Sequence, residues 1–186
     1  SMIQWASHRL VFGSRTCVMG ILNVTPDSFS DGGRYFSVDS AVAKGIQLVR
    51  DGADILDVGG ESSRPFSDSV SPEEESQRVA PVIERLARSV SIPISIDTTK
   101  AEVARRAIEA GASMINDISA LQGDPGMADV VSDCRVPVVL MHMQGTPKTM
   151  QTAPRYENAA LDIRRFLSQT VQFAESRNIP RSRIII

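Results

Sequence analysis

The feature that most constrains the fold is a repeated alternation of short apolar runs with longer amphipathic stretches. The runs hardly alternate between apolar and polar residues, which is typical of strands buried on both faces of a parallel sheet. They span 17–24, 53–60, 92–98, 113–119, 136–143 and 183–186. The stretches between them predict helices at about 39–50, 71–90, 100–110, 125–133 and 156–178. This order predicts an α/β protein built on parallel strands.

The helix predicted at 71–90 has the clearest start signal in the chain. Ser71 is a good N-cap, Pro72 suits the first helical position, and Glu74 completes a capping box. Pro81 lies inside the pattern and lacks a backbone donor, so we expect it to bend or divide the helix.

Polar residues follow strand after strand at the predicted carboxyl ends. A doubly wound sheet concentrates its site at one switch point, whereas a (β/α)8 barrel gathers residues from nearly every strand. The chain also contains neither GxGxxG nor GxxxxGK[ST], so the barrel is favoured over a nucleotide-binding sheet. We expect a short hairpin from Ile3 to Phe12 to close the amino end of the barrel. The strand-end residues are Asn23, Asp57 with Glu61 and Arg64, Asp97, Asn116, Asp117 and His142.

Composition excludes several classes of function. The chain has 186 residues and a formal net charge of −2, which gives no electrostatic reason to expect nucleic acid or an anionic membrane as partner. No apolar run approaches the roughly 18 residues that span a bilayer. Cys17 and Cys134 lie far apart and are predicted to be small core residues, so we expect a reducing, cytoplasmic compartment.

The strand count falls short of a closed barrel. We count five β/α units and the start of a sixth strand in residues 1–186, whereas a barrel needs eight strands and usually about 250 residues. We therefore expect a single barrel domain that is incomplete at its carboxyl end.

Five motifs in chain order resemble those of the dihydropteroate synthase family, whose members are pterin-binding TIM barrels. They read GILNVTPDSFSDGG, DVGGESSRP, ISIDTTK, INDISAL and LMHMQGTPKTMQ. The resemblance implies condensation of 6-hydroxymethyl-7,8-dihydropterin diphosphate with 4-aminobenzoate, giving 7,8-dihydropteroate and pyrophosphate for folate synthesis. It also implies a cytoplasmic enzyme, commonly a homodimer, that sulfonamides inhibit.

For the pterin, the resemblance implies hydrogen bonds from Asp97 and Asn116 and apolar contact from Ile118 and Met141. Asp57 is expected to support the same network. Carboxylates and carboxamides suit the aminopyrimidinone edge because that edge offers both donors and acceptors. The alternative for Asp97 is an N-cap of the helix that begins near Lys100.

For the diphosphate, the resemblance implies Mg²⁺ with Asn23 as its protein ligand, since magnesium binds mostly through phosphates and water. The alternative for Asn23 is a turn residue that ends its strand.

The loop after the first strand is expected to order over the substrates, with Phe29 on the aminobenzoate side. Either Asp27 or Asp31 would stabilise a carbocation-like pterin from which the loop excludes water. The residues alone leave open which of the two acts.

The loop after the second strand is expected to contact aminobenzoate through Ser63 and Pro65. Arg64 would bridge the loops or the diphosphate; the alternative is a surface ion pair with Glu61. Phe66 replaces a Gly that is common in the family, so we expect altered sulfonamide affinity at unchanged reaction type.

Three other functions remain open from the sequence. A related pterin-dependent methyltransferase would share the strand-end Asp and Asn, but it gives no reason for the two loops. A non-catalytic pterin-binding protein would keep the pterin wall without turnover. A phosphosugar-metabolising barrel is possible because barrels host many chemistries.

Overall fold

Six parallel strands form one sheet in which each strand pairs with the next along the chain. The computed structural model describes residues 2–25, 37–61, 69–145, 149–150 and 153–186. Sequential order without a reversal is the order of a (β/α) barrel and differs from that of a doubly wound sheet. The strands are β3 (Met19–Asn23), β4 (Ile55–Gly59), β5 (Ile94–Asp97), β6 (Met114–Asp117), β7 (Val138–Leu140) and β8 (Ile184–Ile185).

Helices connect these strands as the alternation predicts. They are α1 (Val38–Arg50), α2 (Pro72–Ser89), α3 (Ala101–Glu109), α4 (Met127–Cys134) and α5 (Ala159–Ser176). Every predicted strand exists but is shorter than its apolar run, because the flanking residues leave the backbone ladder while staying partly buried. Met141 and His142 are examples, since they follow β7.

Helix α2 has the predicted N-cap Ser71 and the predicted Pro72 in its first turn, and its internal proline does not divide it. The Ser71 hydroxyl accepts a hydrogen bond from the Glu74 backbone N–H at 3.1 Å. The helix continues through Pro81 to Ser89. Of the two expected effects of Pro81, division of the helix is thus wrong, and a bend stays a prediction.

The main core lies between the sheet and the helices. Leu22, Leu56 and Ile96 from the strands pack with Ile83 and Leu86 of α2, and all five are almost fully buried. Such burial contributes about 1.5–3 kcal/mol per large aliphatic side chain.

Strand β3 departs from the prediction that every strand is buried on both faces. Gly20 and Leu22 are buried, but Ile21 between them is 64% exposed and Asn23 is exposed too. Gly20 and Leu22 face the helices, whereas the opposite face of β3, which carries Ile21 and Asn23, is uncovered within the described residues.

An amino-terminal hairpin covers one end of the sheet, as predicted. Strands β1 (Met2–Trp5) and β2 (His8–Val11) pair antiparallel. Trp5 and Leu10 pack with Ile55 and Met114 in a second apolar cluster at the amino ends of the strands. No helix in the described part of the chain is long and apolar enough to cross a membrane.

Candidate functional site

The carboxyl ends of β4, β5 and β6 bring three predicted pterin residues together. The register pairs Gly59 with Asp97 and Asp97 with Asn116. The Asn116 amide nitrogen Nδ2 donates to Asp57 Oδ2 at 2.9 Å. An ionised carboxylate only accepts hydrogen bonds, so this contact fixes which side of the Asn116 amide faces Asp57 and leaves its oxygen Oδ1 for another donor.

Asp57 is buried and retains an oxygen to be satisfied. Its Oδ1 has no hydrogen-bond partner among the described residues. Burial raises the pKa of Asp57, and the Asn116 amide and the nearby hydroxyl of Ser95, its neighbour on β5, act in the opposite direction. A buried polar atom of this kind is expected to meet a ligand or ordered water.

Asp97 has the most perturbed acidity at these strand ends. Burial is the largest cause, and the charges of Asp57, Glu75, Asp117 and Glu61 add to it, raising the pKa of Asp97 to about 7. The Asp97 carboxyl can therefore change charge near neutral pH. A ligand that presents N–H donors would favour the ionised form.

The alternative role of Asp97 as a helix cap is wrong. The first N–H of α3, that of Ala101, donates to Asp124 Oδ2 at 2.8 Å. Thr98 Oγ1 accepts from the Lys100 N–H at 3.2 Å. The start of α3 is thus capped from the β6–α4 connection, and Asp97 is left to the site.

Asp117, the neighbour of Asn116, stabilises a turn. Its Oδ1 accepts from the backbone N–H and the hydroxyl of Ser119 at 2.8 and 2.6 Å, and its Oδ2 accepts from the Leu121 N–H at 2.8 Å. Ala120 and Leu121 have positive φ of 53° and 64°, which is unfavourable for residues with a side chain. The hydrogen bonds of Asp117 offset that cost.

The two predicted apolar contacts lie side by side. Asp117 pairs with Leu140, and Ile118 and Met141 are the next residues of those two adjacent strand ends. Both are half-buried. His142 packs edge-on against the Phe166 ring, with centroids 4.9 Å apart, which favours a packing role over a catalytic one.

Asn23 lies across Gly59 from Asp97. The register pairs Gly59 with both. A Cβ at Gly59 would lie 3.6 Å from Asp97 Oδ2 and 3.9 Å from Asn23 Oδ1, so the missing side chain leaves both groups open between the strands. Asn23 offers a hard oxygen of the type magnesium accepts, although no cluster of three or more His, Cys, Asp or Glu able to hold a metal occurs among the described residues.

The prediction from sequence missed a buried ion cluster behind Asp97. The Lys100 ammonium group lies between Glu61, with which it forms an ion pair, and Glu75, whose Oε2 is 2.5 Å away. Glu75 looks like an exposed acid in the first turn of a helix. A signal was present, because Glu75 lies four residues before Val79 and eight before Ile83, on the buried face of α2.

The remaining predicted site residues lie outside the described part of the chain. They are Asp27, Phe29, Asp31, Ser63, Arg64 and Pro65, together with the family departure Phe66. The proposed surface pair of Arg64 with Glu61 falls there too, although the Glu61 carboxylate itself is bound by Lys100.

Comparison with known proteins identifies relatives across almost the whole chain. Residues 19–186 match the model of a family described as pterin binding enzyme. A dihydropteroate synthase of Synechocystis sp. is 45% identical over 175 residues, which cover 94% of this chain and 61% of that protein. The chain thus spans about three fifths of the length of that relative.

Solved structures show the same similarity. A Xanthomonas albilineans dihydropteroate synthase with 4-aminobenzoic acid has a TM-score of 0.83 at 52% identity, covering 91% of this chain and 60% of that one. A Yersinia pestis dihydropteroate synthase in a sulfonamide drug complex has a TM-score of 0.89 at 42% identity, covering 99% and 66%. These similarities agree with the barrel order of the six strands.

Proposed function

Because the chain belongs to the pterin-binding enzyme family, we propose that it forms the pterin side of a dihydropteroate synthase. The reaction joins 6-hydroxymethyl-7,8-dihydropterin diphosphate to 4-aminobenzoate and releases pyrophosphate. The observation that carries the proposal is the grouping of Asp57, Asp97 and Asn116 at adjacent strand ends, with one buried Asp57 oxygen unsatisfied.

The three polar side chains match the chemistry of a pterin edge. Ionised Asp97 accepts N–H groups from the aminopyrimidinone, and the Asn116 amide supplies the complementary oxygen. Asp57 fixes the orientation of that amide. A hydrogen bond to a charged acceptor contributes about 1.5–3 kcal/mol, so Asp97 is expected to contribute most to pterin affinity.

The apolar residues of the site are proposed to cover the pterin ring. Ile118 and Met141 lie at neighbouring strand ends and retain exposed surface. Ring burial between them excludes water from the reacting methylene carbon, where water would compete with the amine of aminobenzoate.

Asn23 is proposed to hold Mg²⁺ together with the substrate diphosphate. An exposed amide oxygen at a strand end fits a metal that takes most of its ligands from phosphates and water. When bound, the ion would neutralise the leaving pyrophosphate. Gly59 leaves the space between Asn23 and Asp97 open to the substrate.

The residues outside the described part complete the proposal as predictions. Asp27 or Asp31 would stabilise positive charge on the pterin, Phe29, Ser63 and Pro65 would contact aminobenzoate, and Arg64 would bind the diphosphate. A single barrel domain, a homodimer, a cytoplasmic location and sulfonamide inhibition also stay predictions for this chain.

The test is pyrophosphate release that depends on both substrates. It should be measured for the 186-residue chain and for a fusion that continues it with the remaining part of the Synechocystis relative. Release that requires aminobenzoate in either form, and is lost in Asp97→Asn, supports the proposal. Pterin binding without release in both forms would instead indicate a non-catalytic pterin-binding protein. Absence of pterin binding in both would contradict the proposal.

A further inference from the structure

Lys100 lies at a junction of three elements behind the candidate site. It is the last residue before α3, and its ammonium group contacts Glu75 of α2 and Glu61, which follows β4 by two residues. The Lys100 side chain is 19% exposed and that of Glu75 only 1%. The cluster is therefore shielded from water, unlike an ordinary surface ion pair.

Glu75 makes Lys100 hard to replace. A carboxylate removed from water carries a large desolvation cost unless a cation and hydrogen bonds compensate it. Glu75 Oε2 is bound by Lys100, whereas Oε1 has no hydrogen-bond partner in the described part of the chain. Lys100 thus supplies the cation that offsets the desolvation of the Glu75 carboxylate at this position.

The end of β4 lies directly against the helix that carries Glu75. A Cβ at Gly60 would lie 2.7 Å from Val79 Cγ1 and 3.0 Å from Glu75 Cγ, so the strand end presses directly on α2. Arg78 of α2 donates to the Gly60 carbonyl at 2.8 Å. On the other side of this segment, Gly59 pairs with Asp97.

These contacts connect Lys100 to Asp97 indirectly, through Glu61 and the end of β4. We infer that Lys100 is a positioning residue: by bridging Glu61 and Glu75 it fixes the end of β4 against Asp97 and neutralises two carboxylates that lie behind Asp97. This inference rests on the proposed pterin-binding role of Asp97. Lys100 itself is not expected to touch the substrate.

The charges around Asp97 predict the direction in which loss of Lys100 should change the pH dependence of pterin binding. The charged groups that act on Asp97 are Asp57 from β4, Glu61 beyond it, Glu75 from α2 and Asp117 from β6. Without Lys100, Glu61 and Glu75 would act on Asp97 with no adjacent cation. Ionisation of Asp97, and pterin binding that requires it, would then need a higher pH.

Arg106 offers a matched control on the same two helices. Its guanidinium bridges Glu73 of α2 and Glu102 of α3 at 2.6 and 2.7 Å, but its side chain is 39% exposed, and among the described residues its hydrogen bonds and ion pairs go to those two glutamates and not to β4. Lys100→Met and Arg106→Met therefore each remove a cation that bridges two glutamates. Only Lys100→Met also removes a contact with the segment that follows β4.

The experiment measures the Kd of 6-hydroxymethyl-7,8-dihydropterin diphosphate between pH 5.5 and 9 for the 186-residue chain, within about 2 units of the Asp97 pKa. Lys100→Met should weaken binding about tenfold to a hundredfold at pH 7, the scale of a displaced site group. The pH at which affinity falls should move upward. Lys100→Arg should restore most of the affinity because it keeps the charge, and Arg106→Met should leave both Kd and pH profile unchanged.

Glu61→Gln keeps the Glu75–Lys100 pair. It therefore still tests the inference if Lys100→Met does not fold. It also removes a negative charge from behind Asp97, so its affinity should fall at a lower pH than in the wild type. Opposite pH displacements in the two variants would support the inference. Unchanged pH profiles in folded Lys100→Met and Glu61→Gln, or an equal effect of Arg106→Met, would overturn it.

Hydrogen exchange of the Val58–Glu61 amides without ligand separates this inference from the proposed function. If the wild type binds no pterin, the proposed function fails, and exchange alone decides the positioning role. Faster exchange in Lys100→Met than in Arg106→Met supports that role, and equal exchange rejects it.

Discussion

Two aspartates, one just before β4 and one at the middle of that strand, have pKa values shifted in opposite directions. The Arg15 guanidinium binds both oxygens of Asp54 at 2.5 and 2.7 Å, and with the Val18 N–H it lowers the pKa of Asp54 to about 2. Three residues later, burial raises the pKa of Asp57. The acid that precedes β4 is thus satisfied by its partners, whereas the acid within the strand retains an unsatisfied oxygen.

The difference separates an acid that stabilises the sheet from acids that the sheet holds available to a ligand. At the amino end, Asp54 ties the start of β4 to the segment before β3, under the hairpin that packs Trp5 and Leu10 on the strands. At the carboxyl end, the buried carboxylates of Asp57 and Asp97 are unfavourable without a ligand, and such groups are concentrated at functional sites.

The largest expected effect is that of Asp97→Asn, which should weaken pterin binding but raise the free energy of unfolding. Pterin affinity should fall by roughly two to four orders of magnitude, since two hydrogen bonds to a charged acceptor are lost at about 1.5–3 kcal/mol each. Isothermal titration calorimetry at pH 8 measures this loss.

Stability of Asp97→Asn should rise at the same pH. The folded pKa of about 7 lies above the ordinary 3.8. The wild type therefore loses stability as pH rises from about 4 through 7, by up to about 4 kcal/mol. Urea unfolding should show a more stable variant at pH 8 and equal stability at pH 4. A variant that is less stable at pH 8 would place Asp97 with the stabilising residues and break the comparison.

Asp117→Ala should greatly lower the free energy of unfolding, whereas Asp97→Asn should raise it. Three hydrogen bonds to the Ser119–Leu121 turn disappear, and we expect about 2–4 kcal/mol from urea unfolding. The matched variant Asn116→Ala should cost less stability and more pterin affinity. If Asp117→Ala and Asn116→Ala change stability and pterin affinity by the same amounts, the assignment of Asp117 to the turn and Asn116 to the site is wrong.

The pH dependence of pterin binding in the wild type gives a moderate effect. If the ionised form of Asp97 binds, affinity should fall about tenfold for each pH unit below about 7, and be flat above it. Proton release on binding, measured by calorimetry in two buffers of different ionisation enthalpy at pH 6, checks the sign. Asp97→Asn should remove this release.

Sequence patterns predicted the alternation of strands and helices because each element is apolar on a face that its own spacing reveals. They also predicted that Asp57, Asp97 and Asn116 lie together, since parallel strands bring their carboxyl ends to one edge, whereas the pterin role of these residues came from the family resemblance and stays a prediction. The exposed face of β3 escaped prediction because Ile21 is as apolar as buried Leu22, and burial depends on what packs against each face of the strand.

The ion cluster of Lys100 escaped prediction for a different reason. Its three members are separated by 14 and 25 residues, and each is an ordinary surface residue type. Helical spacing places Glu75 on the apolar face of α2, but only the packing of α2 on the end of β4 shows that Glu75 meets Lys100 and Glu61 there. The same applies to the cap of α3, where Asp124 acts over 23 residues and the nearer Asp97 does not.

The smallest expected effect is on Asp54→Asn, at the end of β4 that serves stability. Asp54 has a lowered pKa, so its ionised form stabilises the fold above about pH 4, and this contribution is lost as pH falls toward 2. The ion pair with Arg15 is largely solvent-exposed, which limits its effect, so we expect Tm at pH 7 to fall by only about 2–4 °C. Pterin affinity should not change, because Asp54 lies at the far end of the strand from Asp97. Asp39→Asn, which breaks an exposed pair with Arg85, is the matched control for removing a surface carboxylate. A loss of pterin affinity in Asp54→Asn beyond that control would mean that the two ends of β4 are coupled, and the separation of stability from function along this strand would no longer hold.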